Sequence, residues 1–280
     1  MVSFELMTAG SCTHRERAII RDGRSDAVSI PALVGLIEHP REGLILFDTG
    51  YSQHFHAQTA RFPGTLYAKV TPVALHPEET VKSQLAARGV DAREVRTIIL
   101  SHFHADHVGA VRDFPAARFV CARSAYGALR DRRGLNALRA GFLPGLLPDD
   151  FADRATYVED LPEVDLPERL QPFRRGRDLL GDGSVVLVEL PGHALGHYGA
   201  WVDSSPEVFL VGDACWVSRS FRDRVPPSAL AHVIFSDARL FRETLSKLHT
   251  LHRTHPDLLI VPSHCSEARD RVRQRQAALL

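Results

Sequence analysis

The sequence predicts an α/β protein built on one mixed sheet or on two sheets, with helices on the outside. Two observations predict it: short apolar runs alternate with helical segments along most of the chain, and several neighbouring runs look like hairpins. The composition is that of an ordinary globular protein, with 44% hydrophobic and 24% charged residues. The chain can therefore bury a sizeable core.

A strand pair and a helix come first in the predicted pattern. Val34–Glu38 and Leu44–Phe47 lie on either side of a turn-rich connector and are predicted to pair antiparallel. From Pro77, the segment PEETVKSQLAARGV predicts a helix that begins with proline and acidic residues and ends at Gly89. The remaining predicted elements are the strands Thr97–Leu100, Phe119–Cys121, Val185–Leu190, Ala200–Val202, Val208–Val211 and Leu258–Val261, and the helices Ser124–Arg130 and Ala238–Leu251.

Residues 130–180 interrupt this pattern with proline-containing and charged stretches. We expect an insertion of loops and short helices here, which forms either a lid or pocket wall or a merely solvated connection. No linker that would divide the chain is visible. Residues 1–280 are therefore predicted to form a single domain.

Charge and apolar patterning limit the partners. Thirty-four basic residues balance thirty-four acidic ones, which argues against nucleic acid or an anionic membrane and favours a small-molecule substrate. The first ten residues lack a basic leader with a long apolar stretch, and no run of about 18 apolar residues occurs. We therefore expect a cytoplasmic protein, and a homodimer stays open. The four cysteines are scattered without a C-x-x-C pair and predict buried free thiols.

The stretch SHFHADHVGA concentrates residues that bind metal ions. His102, His104, Asp106 and His107 directly follow a predicted strand, and imidazole and carboxylate suit zinc, iron or manganese. One tetrahedral ion cannot easily use all four, and alternate residues of an extended segment share a face. We therefore expect His102 and His104 at one ion, with Asp106 and His107 at a second.

Three further residues follow predicted strands in the same way. His193 comes after an apolar run and a Pro-Gly turn, Asp213 after the run VFLVG, and His264 after LLIVPS. Each of the three is weak evidence alone. Together with the histidine cluster they predict one site that gathers its ligands from most of the chain.

These motifs resemble the metallo-β-lactamase superfamily. The resemblance rests on the H-x-H-x-D-H run, the PGH, the GD after a strand and the SH after the last strand, and it covers roughly Leu33 to Ser266. It implies a four-layer αβ/βα sandwich with a dinuclear site in a cleft at one edge. In the implied ligand set, His102, His104 and His193 bind the first ion, Asp106, His107 and His264 bind the second, and Asp213 bridges the two.

The resemblance also implies a chemistry, hydrolysis by two divalent ions, with zinc expected and iron or manganese as the other options. Two such ions lower the pKa of a bridging water enough to supply hydroxide, and one ion polarises the substrate oxygen. Asp106 and Asp213 are the predicted catalytic carboxylates, and Asp106 would help to move the proton as the leaving group departs. Asp48 in F-D-T-G would orient a ligand imidazole, with a turn residue bound to local amides as the alternative.

Within the superfamily the chain most resembles the N-acyl homoserine lactone lactonases, through its length, the segment TAGSCTH and the alanine after Asp213. It departs from them at Trp216, where they carry a tyrosine that contacts the lactone. We expect Trp216 and Phe142 to line a substrate pocket, with packing in the protein body as the alternative for both. A lactone or related ester is the expected substrate. A phosphodiesterase or thioesterase of the same superfamily stays open, as does a ligand-binding regulator or an iron redox protein.

Overall fold

The computed structural model describes residues 2–228, 231 and 234–278. In this part of the chain the strands β1 to β13 are, in order, Ser3–Arg15, Ala27–His39, Gly43–Phe47, Val73–Ala74, Val95–Ile99, Arg118–Cys121, Ala155–Tyr157, Glu163–Asp165, Arg175–Asp178, Val185–Glu189, Tyr198–Val202, Val208–Gly212 and Leu259–Pro262. The helices α1 to α10 are Glu16–Ile19, Gln53–Thr59, Gly64–Val70, Val81–Ala86, Ala105–Val108, Arg123–Leu129, Gly134–Leu138, Ser218–Arg222, Ala238–Thr254 and Ser266–Ala277.

The strands form two mixed sheets. The first has the order β4-β1-β2-β3-β5-β6-β7, antiparallel from β4 to β3 and parallel from β3 to β7. The second has the order β13-β12-β11-β10-β9-β8, in which only the described pair β12–β13 is parallel. Each sheet thus combines hairpins with crossover connections, as the sequence pattern predicts.

Three apolar cores lie between four layers. The central core lies between the sheets and joins Phe47 of β3 to Leu187 of β10. Helices α2, α4 and α6 share a second core with the outer face of the first sheet. Helix α9 covers the outer face of the second sheet with one apolar stripe, Phe241, Leu245, Leu248 and Leu251. The predicted αβ/βα sandwich is confirmed.

Most of the predicted elements are present, with shifted ends. β2 and β3 pair antiparallel, with Leu36 opposite Leu46, so the predicted strand pair is confirmed. The helix predicted from Pro77 to Gly89 is shorter, because a 3₁₀ turn precedes α4 and the extended Thr80 separates the two. The hydroxyl of Thr80 accepts a hydrogen bond from the Ser83 amide and caps α4.

The expectation for residues 130–180 needs correction. Short helices do occur there, but β7 extends the first sheet and β8 and β9 extend the second. The segment therefore completes an edge of each sheet. These strands have only three or four residues, too few for the alternation of apolar and polar residues that indicates a strand to be recognised in the sequence. The sequence pattern also misses β1, whose register shifts between Thr8 and Ser11 around Gly10.

Strands β3, β5, β10, β12 and β13 all end at the same edge of the sandwich, where the predicted ligands follow them. The four cysteines are buried and free, as predicted. No helix in the described part of the chain is long and apolar enough to cross a bilayer.

Candidate metal centre and its cavity

Four side chains form a first group that could hold a metal ion, His102, His104, His193 and Asp213. His102 follows β5 and His104 lies directly before α5, while His193 follows β10 and Asp213 directly follows β12. The Nε2 atom of His193 lies 3.1 Å from Nδ1 of His104 and 3.2 Å from Oδ2 of Asp213. The potential ligand atoms of this group lie within 4.8 Å of one another.

Asp106, His107 and His264 form a second group beside the first. The Nε2 atom of His264 lies 3.2 Å from Oδ2 of Asp106 and 3.2 Å from Oδ1 of Asp213. The Nε2 atom of His107 lies 3.4 Å from the same Oδ1. Asp213 therefore turns one carboxylate oxygen to each group, as a residue that bridges two ions must do.

The donor atoms fit divalent ions. Tetrahedral ligands at bonds of about 2.0–2.1 Å lie roughly 3.4 Å apart, and the distances between donor atoms here run from 3.1 to 3.6 Å. Three buried atoms that face the site have no hydrogen-bond partner in the described structure: Nε2 of His102, Nε2 of His107 and Oδ1 of Asp213. Buried polar atoms are rarely left without a partner. The site is therefore built to receive cations.

Hydrogen bonds on the far side of the imidazoles fix their orientation. Nδ1 of His107 lies 2.7 Å from a carboxylate oxygen of Asp48, and Nδ1 of His264 lies 2.9 Å from the carbonyl oxygen of Pro31. Because both oxygens can only accept, each Nδ1 carries the proton and each Nε2 keeps its lone pair for a metal. The hydroxyl of Ser101 donates to Asp48 at 2.9 Å and accepts from Nδ1 of His102 at 3.0 Å.

Asp48 thus has the position expected for a carboxylate that orients a ligand imidazole. It is fully buried, and its second oxygen accepts from the Ser101 amide at 2.8 Å. Its φ of 61° lies in the left-handed region, which non-glycine residues adopt mainly where their surroundings demand it. This backbone conformation directs the side chain towards Ser101 and His107.

His197 holds the main chain of Asp213. Its Nε2 atom accepts a hydrogen bond from the Asp213 amide at 3.0 Å, and burial lowers its pKa to about 4, which keeps the ring neutral. A Cβ atom on Gly212 would lie 2.7 Å from this Nε2, and the φ of Gly212 is +52°. The approach of His197 therefore requires the glycine of the Gly-Asp motif.

Electrostatics differ between the two groups. Burial lowers the pKa of His102 and of His193 well below the ordinary value, so both rings are neutral, as metal ligation requires. Burial also opposes charge on His107 and His264, but the neighbouring carboxylates outweigh it and raise both pKa values well above the ordinary value. This part of the site therefore stabilises positive charge, which a divalent ion would supply.

Comparison with known proteins identifies the family of this chain. The family model of the metallo-beta-lactamase superfamily matches residues 30–264. The chain belongs to the metallo-β-lactamase superfamily. Probable metallo-hydrolase Rv2300c of Mycobacterium tuberculosis is 34% identical over 82% of this chain and 73% of that protein. N-acyl homoserine lactonase AttM of Agrobacterium fabrum is 26% identical over 89% of this chain and 87% of that protein.

A solved structure of an N-acyl homoserine lactone hydrolase, with N-hexanoyl-L-homoserine at its catalytic metal center, has the same fold. The TM-score is 0.70 at 20% identity, over 96% of this chain and 95% of that chain. The resemblance to the lactonase branch of the superfamily is confirmed. Since the relatives are hydrolases of this fold, this metallo-β-lactamase superfamily member is a metallo-hydrolase.

A cavity of about 280 Å³ opens beside the metal-binding groups, near the lower end of the roughly 300–1,000 Å³ typical of ligand sites. We call one part of its lining the ligand wall, which consists of His104, Asp106, His193, Asp213 and His264.

A second part of the lining, the apolar wall, consists of Ala18, Ile19, Ile30, Val70 and Ile234. Strand β1, helix α3 and several connecting segments complete the cavity, with Cys12, His14, Tyr51, Tyr67, Thr71, Trp216 and Ala231. No described lining residue is a lysine or an arginine.

The two expected pocket residues have different places. Trp216 lines the cavity, but its indole N–H donates to Oδ2 of Asp213 at 2.9 Å. The expectation for Phe142 needs correction, because this side chain is only 2% exposed and packs edge-on against Phe103 in the protein core. Its neighbour Gly141 approaches the site instead, since a Cβ atom there would lie 2.5 Å from the His104 ring.

Sequence reasoning missed Ser101 and the carbonyl of Pro31. A hydroxyl directly before the first ligand histidine was the available signal for Ser101. The Pro31 carbonyl carried no signal, because any residue could supply it.

Proposed function

We propose that this metallo-hydrolase opens lactones or cleaves related esters, such as N-acyl homoserine lactones, at a dinuclear zinc site. The observation that carries the proposal is the position of Asp213, with one oxygen at each metal-binding group, beside a largely apolar cavity. The two groups would hold the ions as the family's ligand set implies. The chemistry that such a pair of ions would supply is an acidified water molecule and a polarised scissile carbonyl.

The residues of the chain then have separate roles. Water adds its oxygen to the carbonyl carbon, the ring C–O bond breaks, and the proton ends on the departing alkoxide oxygen. Asp106 lies at the second group, 3.2 Å from His264, and is the carboxylate that would pass this proton. An Asp106→Asn variant that kept both ions and full turnover would exclude this role.

The lining of the cavity favours a neutral substrate with an apolar arm. The apolar wall matches an acyl chain, whereas a phosphodiester would need cationic partners, which the described lining lacks. The relative AttM, named N-acyl homoserine lactonase, supports the same choice.

A substrate panel tests the proposal. Zinc-reconstituted protein is incubated with N-hexanoyl homoserine lactone, a thioester and bis(p-nitrophenyl) phosphate, and hydrolysis is followed by proton release or by the nitrophenolate colour. We expect the lactone to be hydrolysed with the highest kcat/KM. Turnover of the phosphodiester without turnover of the lactone would contradict the proposal.

A further inference from the structure

The indole N–H of Trp216 donates its hydrogen bond to a side chain of the protein and is not free for a substrate. The ring is half-buried, lies edge-on to His193 with centroids 6.0 Å apart, and contacts Phe235 with centroids 5.9 Å apart. Its one donor, Nε1–H, is directed at Oδ2 of Asp213 at 2.9 Å. An indole has no acceptor and no second donor, so this bond uses its whole hydrogen-bonding capacity.

Asp213 needs an orienting partner more than the other site residues do. Its Oδ1 atom must stay near Nε2 of His107 and His264 while its Oδ2 atom stays near Nε2 of His193. Rotation about the bond to the carboxylate would move both oxygens out of these positions. The backbone is held through the amide, which donates to His197, but that bond does not restrict the carboxylate.

The Trp216 bond supplies the missing restraint. A carboxylate oxygen has two lone pairs, so Oδ2 can accept from Nε1 of Trp216 and still offer a lone pair to an ion in the first group. Because Trp216 lies only three residues after Asp213 and packs against His193, its ring can move little. The indole therefore restrains the orientation of the Asp213 carboxylate.

We infer that Trp216 is a positioning residue that holds the Asp213 carboxylate across the two metal-binding groups and thereby strengthens metal binding. The residue acts through Asp213 and offers only its ring to the cavity. This inference concerns metal binding and does not depend on which ester the protein cleaves.

Zinc affinity of two tryptophan variants tests the inference. Trp216→Phe keeps an aromatic ring but loses the N–H. Trp201→Phe is the matched control, because Trp201 is buried in the core between α9 and the second sheet and its Nε1 has no described partner. Both zinc affinities are measured by competition with a chromophoric chelator, after circular dichroism has shown that the metal-free variants are folded.

We expect Trp216→Phe to weaken the binding of at least one zinc ion about tenfold, as losses of groups that orient metal ligands do. Trp201→Phe should keep both affinities within about twofold, because its ring lies away from the site. Zinc affinities in Trp216→Phe equal to those of the unaltered protein would overturn the inference.

A second measurement avoids the risk that Trp216→Phe fails to fold. Protein labelled with ¹⁵N-tryptophan gives two indole N–H resonances, since the chain has two tryptophans. The resonance that survives in Trp201→Phe belongs to Trp216. It should shift when zinc binds, because its acceptor becomes a metal ligand, whereas an unchanged Trp216 resonance at saturating zinc would contradict the inference.

Discussion

The ligand wall and the apolar wall of the cavity are built in different ways. Each ligand-wall residue follows a strand end or lies at the short helix α5, and the side chains of Asp213 and His264 also have hydrogen-bonding partners outside the two metal-binding groups, Trp216 and the carbonyl of Pro31. The apolar-wall residues come from α1, β2, α3 and the segment before α9; Val70 and Ile234 are open to solvent, at 72% and 49% exposure, whereas Ile19 and Ile30 are buried. The ligand wall is therefore polar and formed at strand ends, whereas the apolar wall combines buried and exposed apolar side chains.

The two walls therefore suit two different functions, metal binding and binding of the apolar arm of a substrate. Groups that bind metal ions must be held in place before the ions arrive, and buried networks such as Ser101–Asp48–His107 provide that rigidity. A wall that binds an apolar arm of the substrate needs apolar surface but no fixed side-chain orientation, because hydrophobic contact is non-directional. Changes in the ligand wall should therefore alter kcat and metal content, whereas changes in the apolar wall should alter KM.

The largest effect is expected when a ligand-wall residue is removed. His193→Ala deletes a donor of the first group, so we expect kcat/KM for the lactone to fall by on the order of 10³-fold. Metal content measured by mass spectrometry should fall below two ions per chain. Retention of both the metal and the rate would show that His193 is not a ligand.

A smaller loss of zinc affinity or kcat should follow from changing Asp48, which orients the imidazole of His107. Asp48→Asn keeps the shape of the side chain but removes its charge. The amide that replaces the carboxylate can present either its oxygen or its NH₂ group to Nδ1 of His107. We expect zinc affinity or kcat to fall about 10–100-fold, the usual range for such partners. Thr49→Ser is a matched control in the same turn, since it keeps a hydroxyl that can donate to the His107 carbonyl. A normal zinc affinity in Asp48→Asn would contradict the orienting role.

The support from His197 predicts a pH dependence of stability in the metal-free protein. Its pKa is lowered to about 4 in the folded chain, so the unfolded chain binds the proton more readily below about pH 6.5. The folded state should lose on the order of 2 kcal/mol from this group between pH 7 and pH 5. His197→Gln keeps a hydrogen-bond acceptor that does not titrate. The free energy of unfolding of the variant, measured in urea, should therefore fall less between pH 7 and pH 5, by on the order of 2 kcal/mol. Parallel pH curves for the two proteins would refute the prediction.

The apolar wall should give the smallest effect. Ile234→Ser and Val70→Ser make two exposed positions polar, and we expect each to raise KM for a long-chain acyl lactone about threefold, since little apolar area is lost from half-open positions. kcat and zinc content should stay unchanged. A fall in kcat without a change in KM would show that this wall takes part in the chemistry.

The sequence predicts the ligand wall far better than the apolar wall, for a physical reason. His104 and Asp106 lie in the short run from His102 to His107, and each later candidate ligand follows an apolar strand, so residue type and local order indicate the site. Ile19 and Val70 have no such signal, because an isoleucine or a valine that lines a cavity cannot be distinguished in sequence from one in the core.

Phe142 and β1 illustrate the same limit. Of the two places that the sequence leaves open for Phe142, the pocket and the protein body, the fold gives it the second, and it brings Gly141 to His104 instead. β1 carries Cys12 and His14 to the cavity through pairing with β2, a long-range contact that local pattern does not encode. Side chains that depend on tertiary packing for their position are therefore the ones that sequence reasoning misses.

A zinc titration of the metal-free protein tests the central proposal most directly. Bound zinc and hydrolysis of N-hexanoyl homoserine lactone are measured on the same samples as zinc is added. The dinuclear proposal predicts saturation at two ions per chain, with the activity rising mainly as the second ion binds. Full activity at one ion per chain would contradict it, and so would two bound ions without hydrolysis of the lactone or of any ester.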